Sequence, residues 1–327
     1  MKGARFFVAI LAAMLASASL TARVRAQEDF PARPVKMIVP YPPGGGTDLL
    51  ARVLAQQLGE KWKQSVIVEN VGGAGGNIGA EEVARAAPDG YTLLFASPGP
   101  LATNAFMYQS MPYDPARWTP IAVVATSPYV LAVSPAFEAS TIAQVIADAK
   151  AKPGQITSAT PGVGSLGQFA TIEFEMLAKI KLLQVPYKGL NPAIDDVLAG
   201  NVNMMFDMLA TARPLYKAGR EKIVAVGSTK RVPELPDVPT LAEAGVPGYR
   251  AVTFFGIVAP PGTPADIADE INEAVVECMG DSAFIAKTKA LGMDLAGGSR
   301  TEAGKFFADE RALWGNVAKS AGIKPTE

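Results

Sequence analysis

Ile38-Val39-Pro40-Tyr41-Pro42-Pro43-Gly44-Gly45-Gly46-Thr47-Asp48 reads as a short apolar strand that breaks into a glycine loop and opens directly onto a helix. The helix follows from Leu50, Val53, Leu54, Leu58 and Trp62, which fall near the spacing of one buried face. A strand, a glycine loop and a helix N-terminus together make an anion site. Backbone N–H groups point outward without intrahelical partners there, and the helix dipole adds partial positive charge. Gly44, Gly45 and Gly46 let a ligand approach the main chain because no Cβ stands in the way. No Lys follows the glycines, so the phosphate-gripping lysine of GxxxxGK[ST] is missing and a carboxylate is the natural guest. The competing reading is a plain turn, the ordinary use of Gly and Pro.

Ahead of this loop the chain begins like a secretory leader. Lys2 and Arg5 give a positive start, Phe6 to Leu20 an apolar run, and Val24-Arg25-Ala26 a small-residue cleavage site before Gln27. The run is short against the roughly 20 residues of a membrane span; a retained anchor is the alternative. No Cys stands near the cleavage point to take a lipid. A periplasmic protein beginning at Gln27 is the expectation.

Lys and Arg total 30 against 31 Asp and Glu. Lys2, Arg5, Arg23 and Arg25 precede Gln27, so the remainder is mildly acidic and carries no basic tract for nucleic acid or an anionic membrane. The single cysteine, Cys278, sits in a helical pattern and reads as a buried structural thiol. There is no histidine anywhere. That removes Ser-His-Asp and Cys-His machinery, imidazole general bases and every His-containing metal site. No cofactor or metal is expected.

After Gln27, short β-branched runs alternate with helical stretches, the signature of an α/β fold with mostly parallel sheets. Capping signals mark helix starts at Thr141 to Gln144, Ser165 to Gln168, Thr240 to Glu243, Ser299 to Glu302, Asn191-Pro192 and Thr263-Pro264-Ala265-Asp266. At this length two smaller domains fit better than one. The extended apolar runs Ile121 to Val133 and Thr253 to Ala259 are the natural crossings between them. The expected division is 27–127 plus 249–327 for the first domain and 128–248 for the second, with a ligand cleft between the sheets.

Two further glycine loops follow strands. Asn70 to Ala80 carries overlapping glycines but does not follow the first strand of a βαβ unit. It therefore reads as a second wall of the cleft or a tight structural turn, not a dinucleotide site. Thr160-Pro161-Gly162-Val163-Gly164-Ser165 repeats the strand, glycine, hydroxyl, helix arrangement in the second domain, with Ser165 a ligand contact or a plain N-cap, two compatible readings. Asp207, at the end of an apolar strand, is either a specificity residue or a helix cap. Tyr41 and Phe254 either cover a ligand's carbon skeleton or pack the core. Ser97 and Thr103 border a strand end and offer hydroxyls; Arg52 and Lys188 offer charge or are solvated.

Taken together, Tyr41 to Asp48, Asn70 to Ala80, Pro88-Asp89-Gly90-Tyr91-Thr92-Leu93-Leu94, Met111-Pro112-Tyr113-Asp114, Gly162 to Ser165, Tyr187-Lys188-Gly189, Pro236-Asp237-Val238-Pro239-Thr240, Gly245-Val246-Pro247-Gly248-Tyr249 and Gly256 to Pro264 span the chain after Gln27. In that order they resemble the substrate-binding receptors of tripartite tricarboxylate transporters, the Bug-type periplasmic proteins. The resemblance implies a two-domain Venus-flytrap receptor that closes on a small organic carboxylate and delivers it to membrane permease subunits. It also implies that main-chain N–H groups and hydroxyls of two facing loops hold the carboxylate. Carried over, those positions are Gly45, Gly46, Thr47 and Asp48 in one domain and Gly162, Gly164 and Ser165 in the other. Two positions depart from the family pattern: Gln168 stands where a histidine is common, and Thr253-Phe254-Phe255-Gly256 where a tryptophan is frequent.

The leading reading is a monomeric, non-catalytic receptor. The alternatives are a ligand-sensing module for a membrane kinase, and an exported enzyme using Asp48 or Asp207 with a hydroxyl.

Overall fold

The computed structural model describes residues 30–325; the leader expected over residues 1–26 lies outside them. Strand β1 (Val35–Val39) runs parallel to β2 (Val66–Asn70) on one side and β3 (Thr92–Ala96) on the other. Helix α1 (Gly46–Trp62) connects β1 to β2, and α2 (Asn77–Ala84) connects β2 to β3. These are the helical crossover connections that parallel pairing demands.

Strand β4 (Thr119–Val133) is the backbone of the molecule. Its sequence, TPIAVVATSPYVLAV, is almost wholly apolar and β-branched, as a strand buried on both faces must be. From Thr119 to Pro128 it pairs antiparallel with β9 (Val252–Ala259), which in turn pairs antiparallel with β3. From Tyr129 to Val133 it pairs with β7 (Met204–Met208) on one side, and from Val130 to Val133 with β8 (Lys222–Val226) on the other. Proline cannot donate to a ladder, so Pro128 sits naturally where the partner changes. The return crossing lies beside it: Tyr129 N–H donates to Ala251 O (3.0 Å), Ala251 N–H to Gly227 O (2.9 Å) and Gly227 N–H to Tyr129 O (2.6 Å).

The second sheet continues through β5 (Thr157–Thr160) and β6 (Leu183–Pro186), both parallel to β7's direction. Its helices are α3 (Ile142–Ala151), α4 (Leu166–Ala178), α5 (Leu190–Ala199) and α6 (Leu209–Lys217). The chain then returns to the first sheet through β9, α7 (Ala265–Gly280), α8 (Ser282–Ala290), β10 (Asp294–Leu295) against β4, and α9 (Arg300–Ser320). None of these helices is long and apolar enough to cross a membrane.

The capping signals land with small shifts. Thr141 accepts from Gln144 N–H, and Ser299 with Glu302 forms a full capping box. Thr240 and Glu243 exchange the same bonds around a single turn that goes no further. The Asn191-Pro192 helix begins two residues early, capped by Gly189, and α7 begins after Pro264, leaving the Thr263 hydroxyl to donate to Pro260 O. Cys278 is buried in the α7 core, as its helical pattern implied.

Helix α9 ties the two sheets' layers together. Trp314, fully buried, meets Phe169 of α4 edge-on at 5.7 Å and donates its indole N–H to Glu310 Oε2 at 2.9 Å. Arg250, beside the return crossing, pairs with Glu310 at 3.1 Å. Trp314→Ala removes a buried ring from this junction and is expected to destabilise the protein by about 3–5 kcal/mol in urea unfolding, by the usual cost of emptying an aromatic core site.

Candidate functional site

The first loop is built on Asp48. Its carboxylate, on the first turn of α1, accepts from Gly44 N–H (2.9 Å), Asn70 Nδ2 (2.9 Å) and Arg52 Nε (3.1 Å), with Arg52 Nη2 also at 3.0 Å. Asn70, the last residue of β2, also donates to Tyr41 O at 3.0 Å and accepts from Arg52 Nη2 at 2.8 Å. Burial alone would raise the Asp48 pKa. The Arg52 guanidinium, the Gly44 N–H and the Asn70 amide outweigh it and hold the carboxyl below its ordinary value. Asp48 and Arg52 thus spend their charges on each other and on the loop. Gly44, with φ +89°, makes the turn that brings its N–H onto Asp48. Gly45 is the N-cap of α1 and contributes no side chain, so no side chain caps the helix. That is the arrangement that leaves a helix N-terminus open to an anion.

Tyr41 and Ser97 meet at the ends of β1 and β3, the Ser97 hydroxyl donating to Tyr41 Oη at 2.8 Å. Burial pushes the Tyr41 phenol up, with the Ser97 bonds pulling it partly back. Tyr129, where β4 changes sheets, is also pushed up by burial, with Asp207 and Tyr41 adding. Both phenols are neutral hydrogen-bonding groups at physiological pH.

The second loop packs against the Gly75 turn of the first sheet's layer. Gly162 and Gly164 both take positive φ, +132° and +78°. Ser165 caps α4: its Oγ accepts from Gln168 N–H at 3.3 Å and donates to Gly162 O at 2.7 Å. Gln168 returns the favour by accepting Gly164 N–H at 3.0 Å. The Ser165 hydroxyl therefore caps the helix, a role compatible with a ligand contact. The loop reaches the first sheet's layer directly, through a hydrogen bond of 2.7 Å from Thr103 Oγ1 to Gly164 O.

Asp207 and Phe254 are both fully buried. Asp207 Oδ1 accepts from Met208 N–H (2.7 Å) and Thr211 Oγ1 (2.6 Å) at the start of α6, while Oδ2 is buried without a partner. Phe254 is fully buried against Phe306 and Phe307 of α9, at 5.0 and 5.7 Å. Lys188 is exposed. From the end of β7 it is Met208 that reaches the first loop: its Cε would lie 3.6 Å from a Cβ placed on Gly46. Met208, Tyr129 and Asn104 carry no local signal in the sequence, because what distinguishes them is the partner they meet and not their spacing. A groove of about 600 Å³ runs along the outer side of α1 against β2, past Gln56, Gly59, Lys63 and Ser65. Arg52, which braces Asp48 behind the first loop, stands at one end of this groove.

With this geometry in place, comparison with known proteins decides the family. Residues 50–323 match the tripartite tricarboxylate transporter family receptor. The chain belongs to that family. It is 34% identical to the protein BugT of Bordetella pertussis (strain Tohama I), over 97% of this chain and 98% of BugT. An R. palustris protein solved with adipate superposes with a TM-score of 0.86 at 38% identity, covering 91% of this chain and all (100%) of that one. MatC from Rhodopseudomonas palustris, solved with bound malate, gives a TM-score of 0.82 at 29% identity, covering 88% and 100%. The two-domain periplasmic-binding-protein architecture expected from the sequence is the fold of this family member.

Three buried acids around the second sheet set the pH response. Burial raises Asp207 to about 7, against the pull of Thr211 and the Met208 N–H. Burial, with Asp207 adding, raises Glu221 to about 8. Burial also raises Glu173 to about 7, against the Arg250 backbone bond and charge. Each binds its proton more tightly folded than unfolded, so its contribution is complete below the ordinary carboxylate range and is lost as pH rises through the folded value. The melting temperature is expected to fall between about pH 5 and pH 8, and Glu221→Gln is expected to make that fall shallower in a thermal-shift series.

Proposed function

We propose that this chain is an exported solute receptor that closes two lobes on a small carboxylate and presents it to the membrane subunits of a tripartite transporter. The lobes are residues 27–127 with 249–327, and residues 128–248. The observation that carries the reading is that the two sheets meet through their loops: the Gly162 to Ser165 loop contacts Thr103 and the Gly75 turn, and Met208 of the second sheet reaches Gly46 of the first loop. The first loop leaves α1 without a side-chain cap. A ligand carboxylate there receives main-chain N–H groups of Gly45, Gly46 and Thr47, while Gly162 and Gly164 supply the facing wall. Tyr41 and Ser97 give a neutral polar surface for the remainder of the ligand. The helix terminus contributes the partial positive charge, typically 0.3–1 kcal/mol and up to about 2 in partly buried sites. Asp48 shapes the loop from behind.

The relatives solved with adipate and malate make aliphatic dicarboxylates the first class to test. The protein acts as a monomer, binds without turning its ligand over, and loses its first 26 residues on export. Absence of histidine from the whole sequence supports the non-catalytic reading.

The test is calorimetry of the protein starting at Gln27 with adipate and malate, preceded by native mass spectrometry of protein purified without added ligand. Saturable one-to-one binding of either acid, or release of an organic acid on denaturation, is the expected result. Asp48→Ala should then raise the Kd about tenfold while circular dichroism stays unchanged, since it removes the charge-assisted bond that sets Gly44. Absence of any bound acid together with no heat from either dicarboxylate overturns the proposal.

A further inference from the structure

We infer that Thr103 is a positioning residue for closure: its hydroxyl latches the first lobe to the Gly164 carbonyl of the second, in a socket that Asn104, Gly75 and Tyr108 complete. The inference rests on the two-lobe reading above, and it concerns how the lobes are held and not what they hold.

The bond is direct, buried, and made between residues 61 apart, at 2.7 Å. The loop is prepared for it. Gly162 O already accepts from the Ser165 N–H (3.2 Å) and the Ser165 hydroxyl (2.7 Å), and Gly164 N–H is taken by Gln168 Oε1 (3.0 Å). In a trans peptide the C=O points opposite to the following N–H. Tying the Ser165 N–H back to Gly162 therefore turns the Gly164 carbonyl outward, to where Thr103 stands. Gln168, one of the two departures from the family pattern, thereby acquires a role in orienting the loop.

The other side is equally prepared. Thr103 ends a wide helical turn over Gly99–Thr103, a form of turn that recurs at functional positions. Asn104 follows it and is clamped: its Nδ2 donates to Gly75 O (3.0 Å) and to Asn77 Oδ1 (2.7 Å), and Asn77 Oδ1 also accepts from Tyr113 Oη (2.8 Å). Asn104 Oδ1 is buried with no donor and faces the incoming loop, since a Cβ on Gly164 would collide with it. A Cβ on Gly75 would lie 3.1 Å from Val163 O and 2.7 Å from Tyr108 Oη. Gly75 of the Asn70 to Ala80 glycine cluster thus forms the floor of the socket, where the second lobe comes closest.

When the lobes part, Thr103 and the Gly164 carbonyl both return to water, so the bond weights closed over open by only a modest factor. Without the hydroxyl, closing buries an unpaired carbonyl, which shifts the balance further, by about tenfold.

The test places spin labels at Glu60→Cys in the first lobe and Lys152→Cys in the second, both exposed positions. Cys278 is left in place, because it is buried and burial pushes its thiol up to about 11. Interlobe distances are measured by pulsed electron resonance without ligand and with adipate. Thr103→Val is expected to lower the ratio of the short to the long distance about tenfold and to speed adipate release by a similar factor, with association unchanged. Thr103→Ser, which keeps the hydroxyl, is expected to restore both. Gly164→Ala should open the lobes with Thr103 intact. A ligand-free protein with no short-distance population, a Thr103→Val distribution like the parent's, or a Thr103→Ser protein that behaves like the valine variant would overturn the inference. The ligand-free distances do not depend on which acid is bound, so failure of adipate to bind counts against the receptor proposal alone.

Discussion

One strand belongs to two sheets, and the remainder of the architecture follows from that. The hydrogen bonds of β4 go to β9 up to Pro128 and to β7 and β8 beyond Tyr129. Each half of the strand is buried and each of its ladders is specified, so neither sheet can slide against the other without breaking backbone bonds that have no substitute. The two sheets join at the crossing of Pro128, Tyr129, Gly227 and Ala251. Loops that leave the two sheets beside that crossing are thereby brought face to face, as the contacts of Gly164 with Thr103 and of Met208 with Gly46 record.

The polar chemistry at the cleft divides into groups that are used up in building the loops and groups that are left over. Asp48, Arg52 and Asn70 form a closed set of bonds behind the first loop, and Ser165, Gly162 and Gln168 form another behind the second. Both sets fix main chain. What remains open to the cleft is main-chain dipole and neutral hydroxyl, with no free cationic side chain among the groups that build the loops. In the reading proposed above, such a surface recognises a carboxylate through helix-terminus N–H groups and shape, and leaves the choice among acids to how far apart the lobes can hold two ends of a ligand.

The loops, the helix starts and the buried cysteine were readable from local pattern because each depends on neighbours within a few residues. Gly44 to Asp48 is a turn that opens onto an uncapped first helical turn, Thr141 caps with Gln144 N–H, and Ser299 with Glu302 is a box closed over three residues. The family, too, was legible in the ordered set of short motifs. For Ser165, Asp207 and Phe254 the sequence left two readings open, since a cap and a ligand contact use the same residue types. The structure adds what each side chain touches: the Ser165 hydroxyl turns back onto Gly162, Asp207 onto Thr211, and the Phe254 ring onto α9.

Sequence alone thus determined the chemistry available to this protein: an α/β chain without histidine, with glycine loops at strand ends and helix termini that favour anions. Only the tertiary structure decided which of those groups meet. Thr103 and Gly164 are 61 residues apart, and Asn104 lies in an uncharged stretch with no periodicity to mark it. Their pairing is set by the turn of β4 from one sheet into the next, a long-range constraint that no local spacing of residues encodes.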